Sequence, residues 1–550
     1  MTIRPRILRA IVRPEDGDDV TPGDNGEATL DADVDPLDPD FDESTYLRAF
    51  PDIAEAVRRG ALESGLAHFL QTGRAEARLE KAEYRALLDA YVVAMPPQVA
   101  IDTLTISPSG ATLMTGWSDD RFDPLVAIDL QTSGGLRHDW SEFPRLVRAD
   151  VERTLETGTA HHFGFLLVAA PARGTSVAAS DARSANAPMF RFLSGVESRL
   201  PRDPVVASDA DLRDLALAAL PTAVAGELNP EVAYRILDQH VGTQIAAMNR
   251  LVADQARSRQ LCERFGPKHG RYRGSVITML RGGTDQIVPR LALTAAGPGT
   301  EDYEFIVIIT NANQFESALR AARIAELTLG VSLTLILQPD GDPAYPGDEA
   351  VTSLARSDRL IFMDHTILPR EPDWALRHSE LLDGAPADQT RILGGMLYGS
   401  DGSLINGGYY FDRETSLLTR SNNVPVRITA VALNKVSDLA ARGSPVAQKV
   451  AGVPAAFLSI DRSWFETLGG FTGEYSRAVY EDIDLCLRSR KHGVPAWVHP
   501  LPMWHFERRP PPRPEPSRGG AILNDWLLHR RWDAMIGSEL LGPTAASEAT

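Results

Sequence analysis

Apolar residues follow three different periods along this chain, and the changes of period divide it. Between 43 and 95 they recur at helical spacing: Tyr46, Leu47, Phe50, Ile53, Ala54 and Val57, then Leu66, Phe69 and Leu70, punctuated by Gly60, Gly65 and Gly73. That spacing predicts a small module of two or three short helices. From 97 to 203 the period shortens to two, in runs such as Ile101–Ile106, Ala111–Thr115, Leu125–Leu130 and Phe163–Val168 set between Gly, Pro and Asp turns. Short strands at this spacing predict a β-sandwich. The stretch 205–268 returns to an Ala-, Leu- and Arg-rich pattern and is expected to be a helical connector.

From 270 to 512 strand-like and helix-like runs alternate. Ser275–Leu280, Phe305–Thr310, Val331–Leu337 and Arg359–Met363 read as buried strands, with a helix from Phe315 to Leu329 between the second and third. Such alternation predicts an α/β layer on a mostly parallel sheet. Ligands bind such sheets at the carboxyl ends of the strands, where the Leu280–Gly283 turn, Asn311 and Asp364 all fall. After the stiff Pro510–Pro514 link, 513–550 is expected to hold a helix carrying Trp526, Leu527, Leu528 and Trp532, then a loose tail. The acidic segment 1–42, poor in aromatics, is expected to be disordered.

Composition narrows the classes. At 550 residues the chain is too long for one core. A net charge of −18 leaves no basic footprint of the kind nucleic acid requires, so no nucleic-acid partner is expected. Only Cys262 and Cys486 occur, which fits a reducing compartment and no disulfide scaffold. No stretch approaches the ~20 apolar residues of a membrane span, and Met1–Arg13 lacks the apolar run of a secretory signal. A cytoplasmic location follows as the expectation. Arg4, Arg6, Arg9 and Arg13 among apolar residues leave peripheral attachment at the inner membrane as the alternative.

The densest chemistry lies late in the chain. Gly469-Gly470-Phe471 precedes Tyr480-Glu481-Asp482-Ile483-Asp484-Leu485-Cys486-Leu487-Arg488, and a lone His505 follows a short strand. Carboxylates with an imidazole suit a divalent cation and a general base. A plain structural reading competes. Ile483, Cys486 and Leu487 make a core stripe, Asp484 and Arg488 form an i,i+4 ion pair, and acidic residues commonly open helices.

An ordered series of motifs favours chemistry. Leu360-Ile361-Phe362-Met363-Asp364-His365-Thr366 with Pro369 and Trp374 comes first, then Gly394-Gly395-Met396-Leu397-Tyr398 with Asp401 to Gly408. Gly452 to Leu458, Trp464-Phe465, Gly469-Gly470-Phe471, Glu481-Asp482 and His505 follow. Over 272–510 this series resembles the catalytic domain of family 2 glycosyltransferases, and the helical and sandwich segments ahead of it resemble those of bacterial multidomain members. The resemblance implies a multidomain α/β protein. Its GT-A catalytic domain, with a Rossmann-like, mostly parallel sheet, would be preceded by the helical module and the accessory sandwich.

It also implies roles. Asp482 would be the catalytic base, with Glu481 orienting the acceptor loop near the helix's positive end. Leu280, Arg281, Thr310, Asn311, Asn313 and Asp364 would contact the donor nucleotide. Asp364, Thr366 and His505 would hold Mg²⁺ or Mn²⁺, which neutralises a diphosphate as the glycosidic bond breaks. The implied activity is a metal-assisted, inverting transfer of sugar from a UDP- or GDP-sugar to a surface-polysaccharide, lipid-linked glycan or protein acceptor.

Three positions depart from the family. The metal motif reads Asp-His-Thr and so lacks a carboxylate. Thr310 stands where an aspartate usually contacts the base, and Met279-Leu280-Arg281-Gly282 lacks the usual proline and tyrosine. These departures keep a second class in view, a catalytically weak or inactive GT-A-fold glycan-binding or scaffold protein. No Gly-x-Gly-x-x-Gly follows the first strand, which disfavours a dinucleotide enzyme. Elsewhere, His68 reads as a packing residue, and Trp117 and Trp140 read as core plugs ahead of sugar platforms.

Overall fold

A computed structural model describes residues 46–47, 50–68, 98–120, 123, 125–130, 136–139, 144–155, 163–171, 188–192, 195–224, 234, 236–258, 260–267, 271–280, 283–338, 349–413, 428–432, 447–476, 480–506 and 515–540. The expectations placed on 1–42, Phe69, Trp140, Arg281, Pro510–Pro514 and the tail after 540 fall outside these residues.

The helix α1 (Pro51–Arg58) begins on a proline that suits a first turn. His68 packs by this helix, its Nδ1 3.0 Å from the Tyr46 hydroxyl. Among the described residues nine strands follow: β1 (Gln98–Ile106), β2 (Thr112–Asp119), β3 (Leu125–Leu130), β4 (Leu136–Asp139), β5 (Arg145–Leu146), β6 (Gly164–Ala169), β7 (Met189–Phe192), β8 (Glu197–Arg199) and β9 (Val205–Val206). They make two sheets, β5-β6-β2-β1-β9 and β4-β3-β7-β8, as the period-two pattern predicts. Asp120, 3% exposed, lies between Arg58 of α1 and Arg145, whose Nη2 is 2.8 Å from its Oδ1. A carboxylate buried between two guanidiniums fixes α1 against the sandwich.

Strand β6 explains how the sandwich is anchored. Phe165, Leu167 and Ala169 face the second sheet, with Leu125, Ile128 and Phe190. Leu166 and Val168 point the other way, with Leu113 of β2. They meet Leu212, Leu217 and Leu220 of α2 (Asp209–Ala223) and Ile245 and Met248 of α3 (Gly242–Ser258). Alternation therefore buries both faces of one strand.

The connector expectation needs two corrections. Val205–Val206 is strand β9, and Leu261–Phe265 is not helix but a further strand, β10, paired antiparallel along its length. An open sheet edge overrides a short helical pattern because it satisfies every second backbone group.

Beyond β10 come β11 (Gly274–Leu280), α4 (Ile287–Ala295), β12 (Tyr303–Ile309), α5 (Phe315–Leu329), β13 (Leu333–Leu337), β14 (Arg359–Met363), β15 (Ile367–Pro369), β16 (Ile392–Tyr398) and β17 (Leu404–Asn406). A separate pair, β18 (Tyr409–Arg413) and β19 (Ile428–Ala432), precedes β20 (Gln448–Val450), β21 (Phe457–Asp461), α6 (Glu481–Lys491), β22 (Ala496–His505) and α7 (Glu515–Met535). The large sheet runs β10-β13-β12-β11-β14-β21-β16-β22-β15. Its strands β13, β12, β11 and β14 are parallel, which is the block the strand–helix alternation predicts. Beyond it the sheet is mixed, with β21 antiparallel to both neighbours and β16 parallel to β22.

Both faces of this sheet are covered. Ile277, Ile306, Ile308 and Phe362 pack on one side with Leu485 and Cys486 of α6. Val276, Phe305, Val307 and Ile361 pack on the other with Leu291 of α4 and Ala318 and Ala322 of α5. The sheet must also curl. Four strand spacings separate β14 from β15 in a flat sheet, roughly 19 Å, while the link from Met363 to Ile367 reaches roughly 14 Å at most. The far edge therefore bends back over the carboxyl end of β14 and carries the end of β22 with it.

Candidate functional site

Asp364 follows β14 at the carboxyl end of the parallel block, 17% exposed. Its Oδ1 accepts from the Thr366 amide at 2.9 Å and the Thr366 hydroxyl at 2.7 Å, a turn made by an aspartate two residues ahead of a threonine. The Nδ1 of His365 lies 3.0 Å from the same oxygen without the alignment of a hydrogen bond. Burial opposes ionisation of this carboxyl, but contact with His365 and the two bonds from Thr366 outweigh it and hold the group well below the usual carboxylate range. Arg290 of α4, 8% exposed, fixes the turn from behind. Its two terminal nitrogens donate to the carbonyls of Asp364 at 2.7 Å and His365 at 2.6 Å.

His505 arrives through the curl. Ile367 pairs with His505 across β15 and β22, so the histidine sits one residue past the Asp364–Thr366 turn although more than a hundred residues separate them in sequence. Among the described residues its buried Nδ1 has no hydrogen-bond partner. Among the described residues no group of three His, Cys, Asp or Glu side chains gathers as a cation site. A carboxylate and an uncommitted imidazole nitrogen nevertheless fit an open site for a hard cation whose other ligands are phosphate oxygens and water. Thr366 fits less well, because its hydroxyl proton is directed at Asp364.

Asp482 comes from α6, on the face of the sheet lined by Phe362. Its Oδ2 accepts from the Ala455 amide and its Oδ1 from the Ile483 amide, both at 2.8 Å. The neighbouring Ala456 carbonyl accepts from the Asp364 amide at 2.9 Å. One turn thus touches both acids, and the Asp482 carboxylate lies no more than roughly 13 Å from the Asp364 amide, given the reach of two residues. Asp482 keeps part of its surface accessible yet is packed among protein atoms, and burial pushes its carboxyl up against the two amide bonds. Burial and then the Asp482 charge push the Tyr409 phenol well above its ordinary value, which marks Tyr409 as a neighbour of the acid.

The rest of the acidic run divides. Glu481, 2% exposed, opens α6 where the helix dipole favours a negative charge. Ahead of it Tyr480 has φ +71°, the one positive non-glycine value among the described residues. Strained backbone of this kind concentrates at functional sites. Asp484 is structural, as its ion-pair spacing implies. Its oxygens accept from Arg488 Nε at 2.8 Å, Trp532 Nε1 at 2.8 Å and the Tyr475 hydroxyl at 3.3 Å. Arg488 also donates to the carbonyls of Leu468 and Gly470, fixing the turn before α6. That turn needs both glycines, since Gly469 and Gly470 sit at φ +79° and +68°. Phe471 then packs on Phe362 and Phe465 with ring centres 4.9 and 5.3 Å away.

On the donor side Leu280, buried, and Thr310, half-buried, mark the ends of β11 and β12, where Leu280 pairs with Ile309. Asn311 and Asn313 are exposed beside them, and the Asn311 side chain accepts from the Asn313 amide at 3.0 Å. Leu280, Thr310, Asn311, Asn313, Asp364, Asp482 and His505 thus lie toward one end of the sheet. Sequence reasoning missed Arg290 and Tyr409. A guanidinium on a helix and a tyrosine in a hairpin carry no local signal of what they touch.

No protein-family model and no curated protein sequence matches the chain. Among solved structures, GalNAc-T7 with UDP, GalNAc and Mn²⁺ is similar over 44% of this chain and 45% of its own, at 12% identity and a TM-score of 0.32. The chain thus spans under half the length of that protein. The mannosyltransferase PcManGT from Pyrobaculum calidifontis, in complex with GDP-Man and Mn²⁺, is similar over 61% of this chain and 89% of its own, at 14% identity and a TM-score of 0.29. Likenesses of this degree carry no argument by themselves.

Proposed function

We propose that the protein is a glycosyltransferase of GT-A type that moves a sugar, with inversion, from a UDP- or GDP-sugar to a glycan, lipid-linked or protein acceptor. One observation carries the reading. Asp364, Asp482 and His505, drawn from three distant stretches, lie toward the carboxyl end of one sheet, the first two linked through the Ala455-Ala456 turn and the third through the β15–β22 pairing. In this reading the Asp482 carboxylate takes the proton of the acceptor hydroxyl as it attacks, and its raised basicity suits that task. Glu481 and the Gly469-Gly470 turn shape the acceptor side. Leu280, Thr310, Asn311 and Asn313 flank the nucleotide. A divalent cation held by Asp364 and His505 would neutralise charge on the departing diphosphate. In this reading the reaction runs in the cytoplasm, with contact at the inner membrane as the alternative. Separately, no described helix is long and apolar enough to cross a membrane.

The bond from the Thr366 hydroxyl to Asp364 favours a second reading, a non-catalytic glycan-binding scaffold, because it occupies the carboxylate a metal would use. Thermal-shift titration with UDP and GDP, with and without Mn²⁺, separates the two, since a ligand that binds only the folded form raises its stability. A panel of nucleotide sugars, read by released nucleotide, then tests turnover. Asp482→Asn is expected to abolish transfer while keeping nucleotide affinity. No shift with any nucleotide would leave the scaffold reading standing.

A further inference from the structure

Arg370 follows β15 directly, and its guanidinium lies between two aromatic rings, 4.8 Å from the centre of Tyr398 and 4.7 Å from that of Trp504. Tyr398 and Trp504 are cross-strand partners at the carboxyl ends of β16 and β22. Trp504 also pairs with Leu368 and directly precedes His505, so the stack stands one residue along β22 from the histidine that pairs with Ile367.

Stacking engages the faces of a guanidinium and leaves its N–H edge free. Among the described residues that edge makes no hydrogen bond and no ion pair, although Arg370 is exposed in a chain of net charge −18. Four other arginines of the same domain behave differently. Arg273, Arg356, Arg377 and Arg488 each pair with a carboxylate.

We propose that Arg370 is a preorganised receptor for the diphosphate of the nucleotide donor, an assignment that rests on the transferase reading. Two rings hold the guanidinium in place, so little side-chain freedom is lost when a ligand arrives. Its planar fork matches phosphate oxygens two at a time. The charge logic agrees. Thr366 brings no charge to the metal motif, so Asp364 and His505 hold a cation with one formal negative charge between them, and a fixed arginine adds positive charge where the leaving group departs. A phosphate or carboxylate on the acceptor would present the same chemistry, and the test distinguishes the two sources. Arg391 supplies a control, because it stacks 5.1 Å over Trp464 next to the opposite, amino end of β16.

The experiment is isothermal titration of the full chain in EDTA with inorganic pyrophosphate, UDP and GDP, and separately with UMP and GMP. Arg370→Gln is expected to weaken pyrophosphate and diphosphate binding about tenfold or more. Arg370→Lys should fall between, while the monophosphates and the Arg391→Gln variant should be unaffected. Wild-type affinity for diphosphates in a folded Arg370→Gln protein overturns the assignment. The same result with a raised KM for an anionic acceptor moves Arg370 to the acceptor side and equally overturns it. Arg370-dependent pyrophosphate binding in a protein that turns over no nucleotide sugar keeps the receptor and removes the transferase.

Discussion

Replacing Arg290 with methionine tests whether the Asp364 turn is a working part or only a well-packed one. The guanidinium makes two short bonds, to the carbonyls of Asp364 and His365. Each bond from a charged donor contributes about 1.5–3 kcal/mol. Removing a buried charge also relieves its desolvation, which offsets part of that sum. The carbonyl of Asp364 keeps a second donor, the Ile367 amide at 3.0 Å, so the turn loosens without collapsing. The expected net loss is about 2–3 kcal/mol. In a unit of this size that lowers Tm by only a few degrees, because the entropy of unfolding scales with length. The functional effect should be larger in relative terms. Nucleotide affinity in the presence of Mn²⁺, measured by calorimetry, should fall about tenfold, or ~1.4 kcal/mol, and Arg290→Lys should recover part of it. A methionine variant that loses its few degrees yet binds nucleotide and Mn²⁺ like the parent would refute the reasoning, for the clamp would then serve stability alone.

Titration offers a second test, with opposite signs at the two acids. The Asp482 carboxyl is pushed up by burial, so it lends stability at low pH and withdraws it as pH rises from the ordinary carboxylate range through the raised value. The Asp364 carboxyl is held low, so its contribution is present above the ordinary range and is lost as pH falls. Asp364→Asn should therefore be less stable than the parent near neutrality, with the Tm gap closing below about pH 4; a gap independent of pH would contradict the assignment. Trp532→Phe removes a 2.8 Å bond to the buried Asp484, which should cost about 1–3 kcal/mol in chemical denaturation. An unchanged midpoint would show that the carboxylate is satisfied by its other donors.

The helix α5 runs from Phe315 to Leu329 as its spacing predicts, stopped by Gly330 at φ +65°. Strand β14 likewise matches its apolar run. Both are local signals, written in period and in a left-handed cap. Strand β10 was not legible, because its hydrogen bonds come from β13 and not from its own composition. His505 could be named from its place in a series of motifs, but its approach to Asp364 depends on the curl of the sheet and the β15–β22 register. Local periodicity contains no such information. Arg290 and Arg370 differ from surface arginines only in what surrounds them, the first aimed at two carbonyls and the second held between two rings. The acidic run around Asp482 looked ambiguous for a physical reason, since it does hold both kinds of residue. Asp484 turns inward to four side-chain donors while Asp482 faces the Ala455 turn.

The placement of α7 has a consequence for how the protein is made. Ile522, Leu523 and Trp526 fill the gap between α2, α3 and the sandwich, and Trp532 reaches the base of α6. A ribosome delivers this helix after α2, α3, the sandwich and α6. Until it emerges, Asp484 has lost its indole donor and the adjoining apolar surfaces of three segments stay wet. Nascent chains should therefore gain nucleotide-dependent protection from protease late and abruptly, once the stretch through Trp532 has cleared the exit tunnel.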